Sequence, residues 1–153
     1  MRRKDKQITD RTLLIKILKT AHICRVAFHD KPYPYIVPMN YAYYDDKLYF
    51  HGASTGKKLD LIRKNNRVGF EIEMPYEIIK APVSCDWTTH YQSIVGTGEI
   101  HFIRDITLKK QVMDRIMQQH GSSENSYKER LLEVVEILEL QIHDLSGKQS
   151  GVW

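Results

Sequence analysis

The sequence predicts a single α+β domain built on a small, mainly antiparallel β-barrel of six or seven strands, with three short helices outside it. Three observations support this prediction. Apolar and polar residues alternate in most segments, which is typical of half-buried strands. Turns that contain proline, glycine or aspartate join those segments and favour hairpins. Strands and helices do not alternate regularly, as a doubly wound sheet would require.

The N-terminal half is predicted to contain two of the helices and four strands. A first helix is expected from about Asp10 to Thr20, with Thr9 or Asp10 as its cap and an apolar stripe at helical spacing. Alternation predicts strands in the stretches HICRVAFH, YIVPMNYAYY, LYFHG and RVGFEIEM. The stretch GKKLDLIRKNN places Leu59, Leu61 and Ile62 where one face of a short second helix can pack inward.

The C-terminal half is predicted to contain one long strand, a third helix and a final strand. The stretch YEIIKAPVSCDWTTH is ambiguous and fits a loop with part of a strand. YQSIVGTGEIHFI is expected to be a long strand, and its two glycines mark a bulge or a close approach of another group. ITLKKQVMDRIMQQH has helical spacing, whereas ILELQIHDL alternates as a strand before a glycine turn and the ending KQSGVW.

Length and composition limit the classes of function. The 153 residues suit one domain, residues 1–153, and 42% hydrophobic with 27% charged residues is ordinary for a globular protein. The formal net charge of +4 owes part of its excess to the tip MRRKDK, and no arginine or lysine stripe with interleaved aromatics follows. We therefore expect no nucleic-acid partner. No apolar run has transmembrane length and no signal-peptide core is present, so the expected location is cytoplasmic, without a membrane partner.

The cysteines and histidines form no metal motif. Cys24 and Cys85 have neither CxxC nor zinc spacing, and each is predicted to be a small buried residue in a reducing compartment. No cluster of histidine, aspartate and glutamate has metal-ligand spacing, and no nucleophile motif is present. We therefore expect no metal site.

The stretch LYFHGASTGKKLDLI suggests a phosphate site. It runs from a strand through small residues to two lysines at a helix start, where positive charge is unfavourable unless an anion is near. Free helix amides with Lys57 and Lys58 would bind a phosphate, and Ser54 and Thr55 could donate further hydrogen bonds. Gly52 and Ala53 would let the backbone approach a ligand. The alternative is a solvated helix start with surface lysines.

Two other segments offer surfaces for a planar ligand. Pro38 lies in the middle of a predicted strand and cannot donate to the ladder, which indicates a free edge where neighbouring amides can face a ligand. A proline that only protects the edge from aggregation is the alternative. In CDWTTHYQSIVGTGEI, Trp87 and Tyr91 offer aromatic surface, and Gln92 and Ser93 offer polar groups. Both aromatics also fit an ordinary core or interface.

Taken together, these stretches resemble a known family. YPYIVPMNYAYYDDKLYFHGASTGKKLDLIRKNNRVGFEIE, followed by CDWTTHYQSIVGTGEI, is similar to the FMN-binding split-barrel group. Within that group it resembles the Nim-type, 5-nitroimidazole-resistance-related proteins, which are related to pyridoxamine 5'-phosphate oxidase. The resemblance covers nearly the whole chain. It implies a six-stranded split barrel that forms a homodimer with FMN at the interface.

The resemblance also implies which residues bind the cofactor. The strand backbone from residue 36 to residue 40 would line the isoalloxazine ring, a set that comprises Ile36, Val37, Pro38, Met39 and Asn40. His51 and Gly52 would lie by the ring or the ribityl chain, and Lys57 and Lys58 would pair with the phosphate. The partner subunit would close the site with Gln92 and Ser93, with Trp87 stacking nearby and Lys148 as a further candidate.

For His51 two interpretations stay open. The resemblance implies a histidine near the flavin with a catalytic part in reduction, whereas a neutral histidine hydrogen-bonded in a polar pocket is the alternative. A homodimer agrees with a number of aromatic side chains larger than a small core readily absorbs, namely Tyr33, Tyr35, Tyr41, Tyr43, Tyr44 and Trp87.

The function implied is an FMN-dependent oxidoreductase. A transient NAD(P)H donor would reduce the flavin, which would reduce a small aromatic or nitro compound as acceptor. A second hypothesis is a non-catalytic flavin or heme carrier or sensor, for which His51 and His90 provide axial-ligand chemistry. A third is oxidation of pyridoxamine 5'-phosphate, although the arginine-rich C-terminal stretch associated with that enzyme is absent.

Overall fold

The computed structural model describes residues 3–151, so the first two residues of the basic tip and the last two of the predicted domain lie outside it. Its α-helices are α1 (Arg11–Thr20), α2 (Lys57–Lys64), α3 (Ile106–Gln119) and α4 (Glu129–Val134). Its strands are β1 (Gln7–Ile8), β2 (Ile23–Phe28), β3 (Tyr35–Tyr44), β4 (Lys47–Gly52), β5 (Arg67–Glu73), β6 (Glu77–Ile79), β7 (Thr88–Ile103) and β8 (Glu136–Ser150).

Six of the strands close into an antiparallel barrel. Their order is β8-β4-β3-β2-β5-β7, and β7 pairs with β8 again to complete the ring. The two short strands lie at the margins, β1 beside β8 and β6 beside β7. Three longer helices and the short α4 complete the α+β fold, so the predicted split barrel is confirmed. No helix within residues 3–151 has the length and apolar character needed to cross a membrane.

The barrel interior forms because alternate residues of each strand face inward. Tyr41 and Phe50 face each other across β3 and β4 and are fully buried, as are Leu48, Ile72 and Ile94. The single polar atom of Tyr41 is satisfied, since its hydroxyl donates to the carbonyl of Leu18 at 2.8 Å. Removal of this apolar surface from water is the main force that holds the barrel closed.

A second apolar cluster fixes α3 against the outside of the barrel. Val112 and Ile116 of α3 pack on Ala42, Tyr49 and Ile137 from three strands. The side chain of Gln119 then ties the end of α3 to neighbouring backbone. It accepts from the Tyr43 amide at 2.8 Å and donates to the carbonyls of Leu18 at 3.2 Å and Ala21 at 3.0 Å.

Several sequence-based expectations differ from the structure. The glycine turn expected near Gly147 is absent, because β8 continues to Ser150 and Gly147 packs under Leu14 and Ile8, where a side chain would not fit. Cys24 is buried as expected, whereas Cys85 is exposed in a 3₁₀ turn at Ser84–Asp86. Tyr41 belongs to the core rather than to an exposed aromatic surface.

Strand β3 has a free edge along its first half. It pairs with β2 from Tyr35 to Asn40 but with β4 only from Tyr41 to Tyr44. Along a strand, the N–H and C=O groups of successive residues point to opposite sides. Tyr44 and Lys47 flank the two-residue turn between β3 and β4 as a hydrogen-bonded pair, so the backbone groups of Tyr44 point toward β4. The other even-numbered residues of β3 therefore also direct their backbone groups away from β2. Pro38 has no amide hydrogen to lose on that side, which explains a proline in mid-strand. Ile36 and Pro38 therefore present backbone groups where no strand covers them.

Candidate functional site

The free half of β3 forms one wall of the candidate site. The side chains of Ile36, Pro38 and Asn40 are exposed on the outer face, whereas Val37 is partly buried and Met39 is buried toward the interior. The end of β4 adjoins this wall, and residues 53–56 then lead, exposed, into α2. The structure thus brings together the β3 segment, His51, Gly52, Ala53 and the start of α2.

Lys58 is the charge that this site encloses. Its side chain is half-buried, with Nζ 3.7 Å from Sδ of Met39, and burial lowers the pKa of the amine. No carboxylate in the described part of the chain lies within ion-pair distance of it. A Cβ on Gly52 would lie 2.7 Å from the same Nζ, so the glycine makes room for the ammonium group. A half-buried cation without an anion is costly, which points to a ligand of negative charge.

Lys57 has a different environment from its neighbour. Its Nζ lies 2.7 Å from Oδ2 of Asp30 and 4.9 Å from the centre of the Tyr35 ring, and more than half of its side chain is exposed. The hydrogen bond from Lys57 lowers the pKa of the Asp30 carboxyl. The charge of Lys57 therefore already has a partner, and that of Lys58 does not.

The start of α2 adds further donors. Gly56 is the N-cap residue with a φ of 126°, a conformation that favours glycine, and no side chain caps the helix. The first amides of a helix have no intrahelical acceptor, so those of Lys57 and Lys58 are free to bind an anion. Ser54 and Thr55 lie exposed in the preceding turn.

His51 lies on the face of β4 that also carries Tyr49, the face covered by α3. Its Nδ1 atom is buried and has no hydrogen-bond partner. Burial lowers the pKa of the imidazole, and the charges of Lys58 and His120 lower it further. The imidazole of His51 is therefore held neutral beside the cation, and its buried Nδ1 atom is a polar group that the protein itself does not satisfy.

The other predicted site residues form a separate group. Gln92 is buried, with Nε2 3.1 Å from Oε1 of Gln149, and Ser93 stands opposite Lys148 in the β7–β8 ladder. Trp87 is 47% exposed and donates from Nε1 to the carbonyl of Ala81 at 2.8 Å. Strands β2 and β5 separate β3 from β7, so a single chain does not bring this group to Lys58.

Sequence analysis missed a contact between two further histidines. The rings of His22 and His120 lie 4.9 Å apart, and Nε2 of His120 is buried without a partner. His22 directly precedes β2 and His120 directly follows α3, so only the packing of α3 brings them together. Of the described residues, no group of three or more histidines, cysteines or carboxylates is placed to hold a metal ion.

The half-buried histidines His51 and His120 predict that the protein without a bound ligand loses stability in mild acid. The pKa values of His51 and His120 are lowered from 6.5, mainly by burial. Below about pH 6.5 these two histidines therefore bind more protons in the unfolded chain than in the folded chain. The free energy of unfolding falls as the pH drops through this range. Urea unfolding from about pH 7.5 to about pH 5.5 measures this loss.

A double substitution tests the assignment of that pH dependence. His51→Asn with His120→Asn should flatten the slope, whereas His101→Asn at an exposed position on β7 should leave it unchanged. The carboxyls of Asp5 and Asp30 have lowered pKa values and titrate below this range, so they do not contribute. A wild-type slope retained in the double variant would contradict the prediction.

Comparison with known proteins identifies the family. A sequence profile described as pyridoxamine 5'-phosphate oxidase matches residues 10–149. The fold is similar to that of a candidate 5-nitroimidazole antibiotic resistance protein from Bacteroides thetaiotaomicron, with 26% identity over 93% of this chain and 85% of that one and a TM-score of 0.83. A comparison with curated proteins gives no significant match.

Two further solved structures share the fold at lower identity. The flavocytochrome Anf3 from Azotobacter vinelandii has a TM-score of 0.84 with 15% identity over 99% of this chain and 72% of that one. A FAD and heme binding protein from Mycobacterium smegmatis has a TM-score of 0.82 with 22% identity over 97% and 75%. The resemblance found in the sequence is thus confirmed by a profile that spans most of the chain: this protein belongs to the pyridoxamine 5'-phosphate oxidase family of split barrels.

Proposed function

We propose that this chain is an FMN-dependent oxidoreductase that uses NAD(P)H to reduce small aromatic or nitro compounds, as a cytoplasmic homodimer. The observation that supports it most directly is the enclosed, unpaired Lys58 beside Gly52 and the free amides of α2. A phosphate dianion would supply the missing counter-charge at that position. The Bacteroides relative, a candidate nitroimidazole resistance protein, supports the choice of acceptor.

The residues of the site fit a phosphorylated flavin. Backbone groups of Ile36 and Pro38 at the free edge of β3 match the polar rim of a planar ring, and Lys58 matches a phosphate. The resemblance would place His51, whose buried Nδ1 has no hydrogen-bond partner in the described structure, by the ring or the ribityl chain. When bound, the flavin would supply the electron-transfer chemistry. The chain would orient it, exclude water from one side and hold a neutral imidazole near the reacting atoms.

A second subunit would complete the site. The outer face of the barrel exposes Ile23, Ile36 and Val95 around the ion pairs of Arg25 with Glu71 and Glu73, at 3.0 and 2.9 Å. Such a mixed apolar face is suited to pairing with a copy of itself. In that dimer, the residues around Gln92 and Ser93 of one subunit would contact the cofactor bound by Lys58 of the other subunit.

The absorption spectrum tests the proposal directly. Protein mixed with FMN and desalted should retain bands at about 370 and about 450 nm, and the loaded protein should oxidise NADH or NADPH with a nitroaromatic acceptor. A heme Soret band in the purified protein, without flavin bands, would instead favour the carrier or sensor hypothesis. A monomeric sedimentation mass of the loaded protein would contradict the shared site.

A further inference from the structure

Two lysines from opposite ends of the chain meet at one tyrosine ring. Lys6 directly precedes β1 and Lys148 lies on β8, and their Nζ atoms are 5.9 Å and 5.7 Å from the centre of the Tyr91 ring. Lys6 also donates to Oγ of Ser150 at 3.0 Å. Strand pairing explains the meeting, because β8 lies between β1 and β7 and places Ser150 opposite Tyr91. We call these four residues the terminal cluster.

The two ammonium groups of the terminal cluster have no counter-ion in the described part of the chain. Both lysines are partly buried, and no carboxylate there lies within ion-pair distance of either one. Asp5, next to Lys6 in sequence, is bound by Arg3 at 2.6 Å. Glu73, on the strand that pairs with β7, is bound by Arg25 at 2.9 Å. Two positive charges beside one ring, with the neighbouring carboxylates already paired, favour an anionic ligand.

The terminal cluster lies on the outer face of the barrel, where the second subunit would pair. Accessible and buried residues alternate along this part of β7, with Gln92 buried and Val95 exposed. Tyr91 and Ser93 therefore share the outer face with Val95. Lys148 shares it too, because it stands directly opposite Ser93 in the ladder. The cluster would thus lie at the margin of the cofactor site that the two subunits share.

The charge of the terminal cluster matches a phosphate monoester. Two ammonium groups supply two positive charges and several N–H donors, and Ser93 adds a hydroxyl group on the same face. A carboxylate carries one negative charge, whereas a phosphate monoester carries close to two near pH 7. Among the nucleotides of the proposed reaction, FMN and NADPH carry such a monoester, and NADH carries only a pyrophosphate diester. The phosphate of FMN is already assigned to Lys58, which leaves the 2′-phosphate of NADPH.

We propose that Lys6 and Lys148 bind the 2′-phosphate of NADPH and make this donor preferred over NADH, an assignment that rests on the proposed function. A nicotinamide donor reacts with its ring against the flavin, while its 2′-phosphate lies at the opposite end of the molecule. A positive site beside the shared cofactor site, rather than within it, suits that arrangement. The subunit that contributes Gln92 and Ser93 would also contribute this phosphate site.

Steady-state kinetics with the two donors tests this specificity. The FMN-loaded wild type should have a higher kcat/KM for NADPH than for NADH, mainly through a lower KM. Lys6→Met should lower kcat/KM for NADPH about 10-fold and leave the value for NADH unchanged, because only NADPH loses a charge-assisted contact. Lys6→Arg retains the charge and should retain most of the preference. Lys4→Met, at an exposed lysine of the same 3₁₀ turn, should change neither value.

Binding without turnover separates the phosphate site from the proposed function. In calorimetric titration of the FMN-loaded wild type, adenosine 2′,5′-bisphosphate should bind more tightly than adenosine 5′-monophosphate. Combining Lys6→Met with Lys148→Met should abolish this difference. A loaded protein that oxidises neither donor would contradict the proposed function, while a retained preference for the bisphosphate would still support the phosphate site.

Two results would overturn the proposal. The first is an active wild type that uses both donors equally and binds the two adenosine phosphates equally. The second is a Lys6→Met variant that loses affinity for FMN but not for riboflavin, because the lysines would then serve the flavin phosphate instead of the donor.

Discussion

Lys58→Met should weaken FMN binding by about 10-fold to 150-fold, the range expected when charge-assisted hydrogen bonds of about 1.5–3 kcal/mol are lost. Methionine has a similar length, so the substitution removes the charge without emptying the space that the side chain fills. The same change should raise the free energy of unfolding of the flavin-free protein, since it removes a half-buried cation that has no counter-ion. Fluorescence titration with FMN and urea unfolding without it measure the two effects.

Two controls make this prediction specific. Lys57→Met removes a neighbouring charge that is exposed and already paired with Asp30 at 2.7 Å, so FMN affinity should change by less than about 5-fold. Riboflavin, which lacks the phosphate, should bind Lys58→Met and wild-type protein equally well. Equal losses at both lysines, or an equal loss of riboflavin and FMN affinity, would show that Lys58 does not hold the phosphate.

Gln119→Leu should lower the free energy of unfolding by about 2–4 kcal/mol, because three hydrogen bonds to part-buried backbone groups are lost at once. The amide of Tyr43 and the carbonyls of Leu18 and Ala21 would each be left without this partner. Chemical unfolding followed by circular dichroism measures the change.

The adjacent residue provides a matched comparison. Gln118→Leu removes an exposed amide whose Oε1 accepts a hydrogen bond from Arg115 at 3.3 Å, and it should cost less than about 0.5 kcal/mol. A similar cost for both variants would mean that helix propensity, rather than the bonds of Gln119, accounts for the loss.

Local pattern was sufficient to predict most of the barrel. Alternation over YIVPMNYAYY matches β3 at both ends, and the helical spacing of Leu59, Leu61 and Ile62 matches the buried face of α2. The predicted glycine turn near Gly147 was wrong for a physical reason. Gly147 indicates a turn by its residue type, but β1 and α1 pack on it from far away in sequence, and no local pattern reports such long-range contacts.

The residues of the candidate site could be predicted from the sequence, but the burial and the charge partners of their side chains could not. The sequence suggested two equivalent lysines, whereas the structure distinguishes a surface lysine paired with Asp30 from an enclosed one beside Gly52. The contact between His22 and His120 depends on where α3 ends relative to β2. Sequence patterns indicate which residues each helix buries and do not show which distant residues meet at its end.

The open edge of β3 links folding to ligand binding. The backbone groups of Ile36 and Pro38 on this side are hydrogen-bonded to no neighbouring strand and are left to water. The protein without a ligand is therefore less stable than it would be if a strand covered them. A ligand that hydrogen-bonds to those groups gains affinity from them. Because such a ligand binds the folded state and not the unfolded chain, it also raises the free energy of unfolding. The midpoint temperature of thermal denaturation therefore reports how much of the site is occupied. A substitution that satisfied the free edge of β3 within the protein would stabilise the barrel and prevent the ligand from binding there.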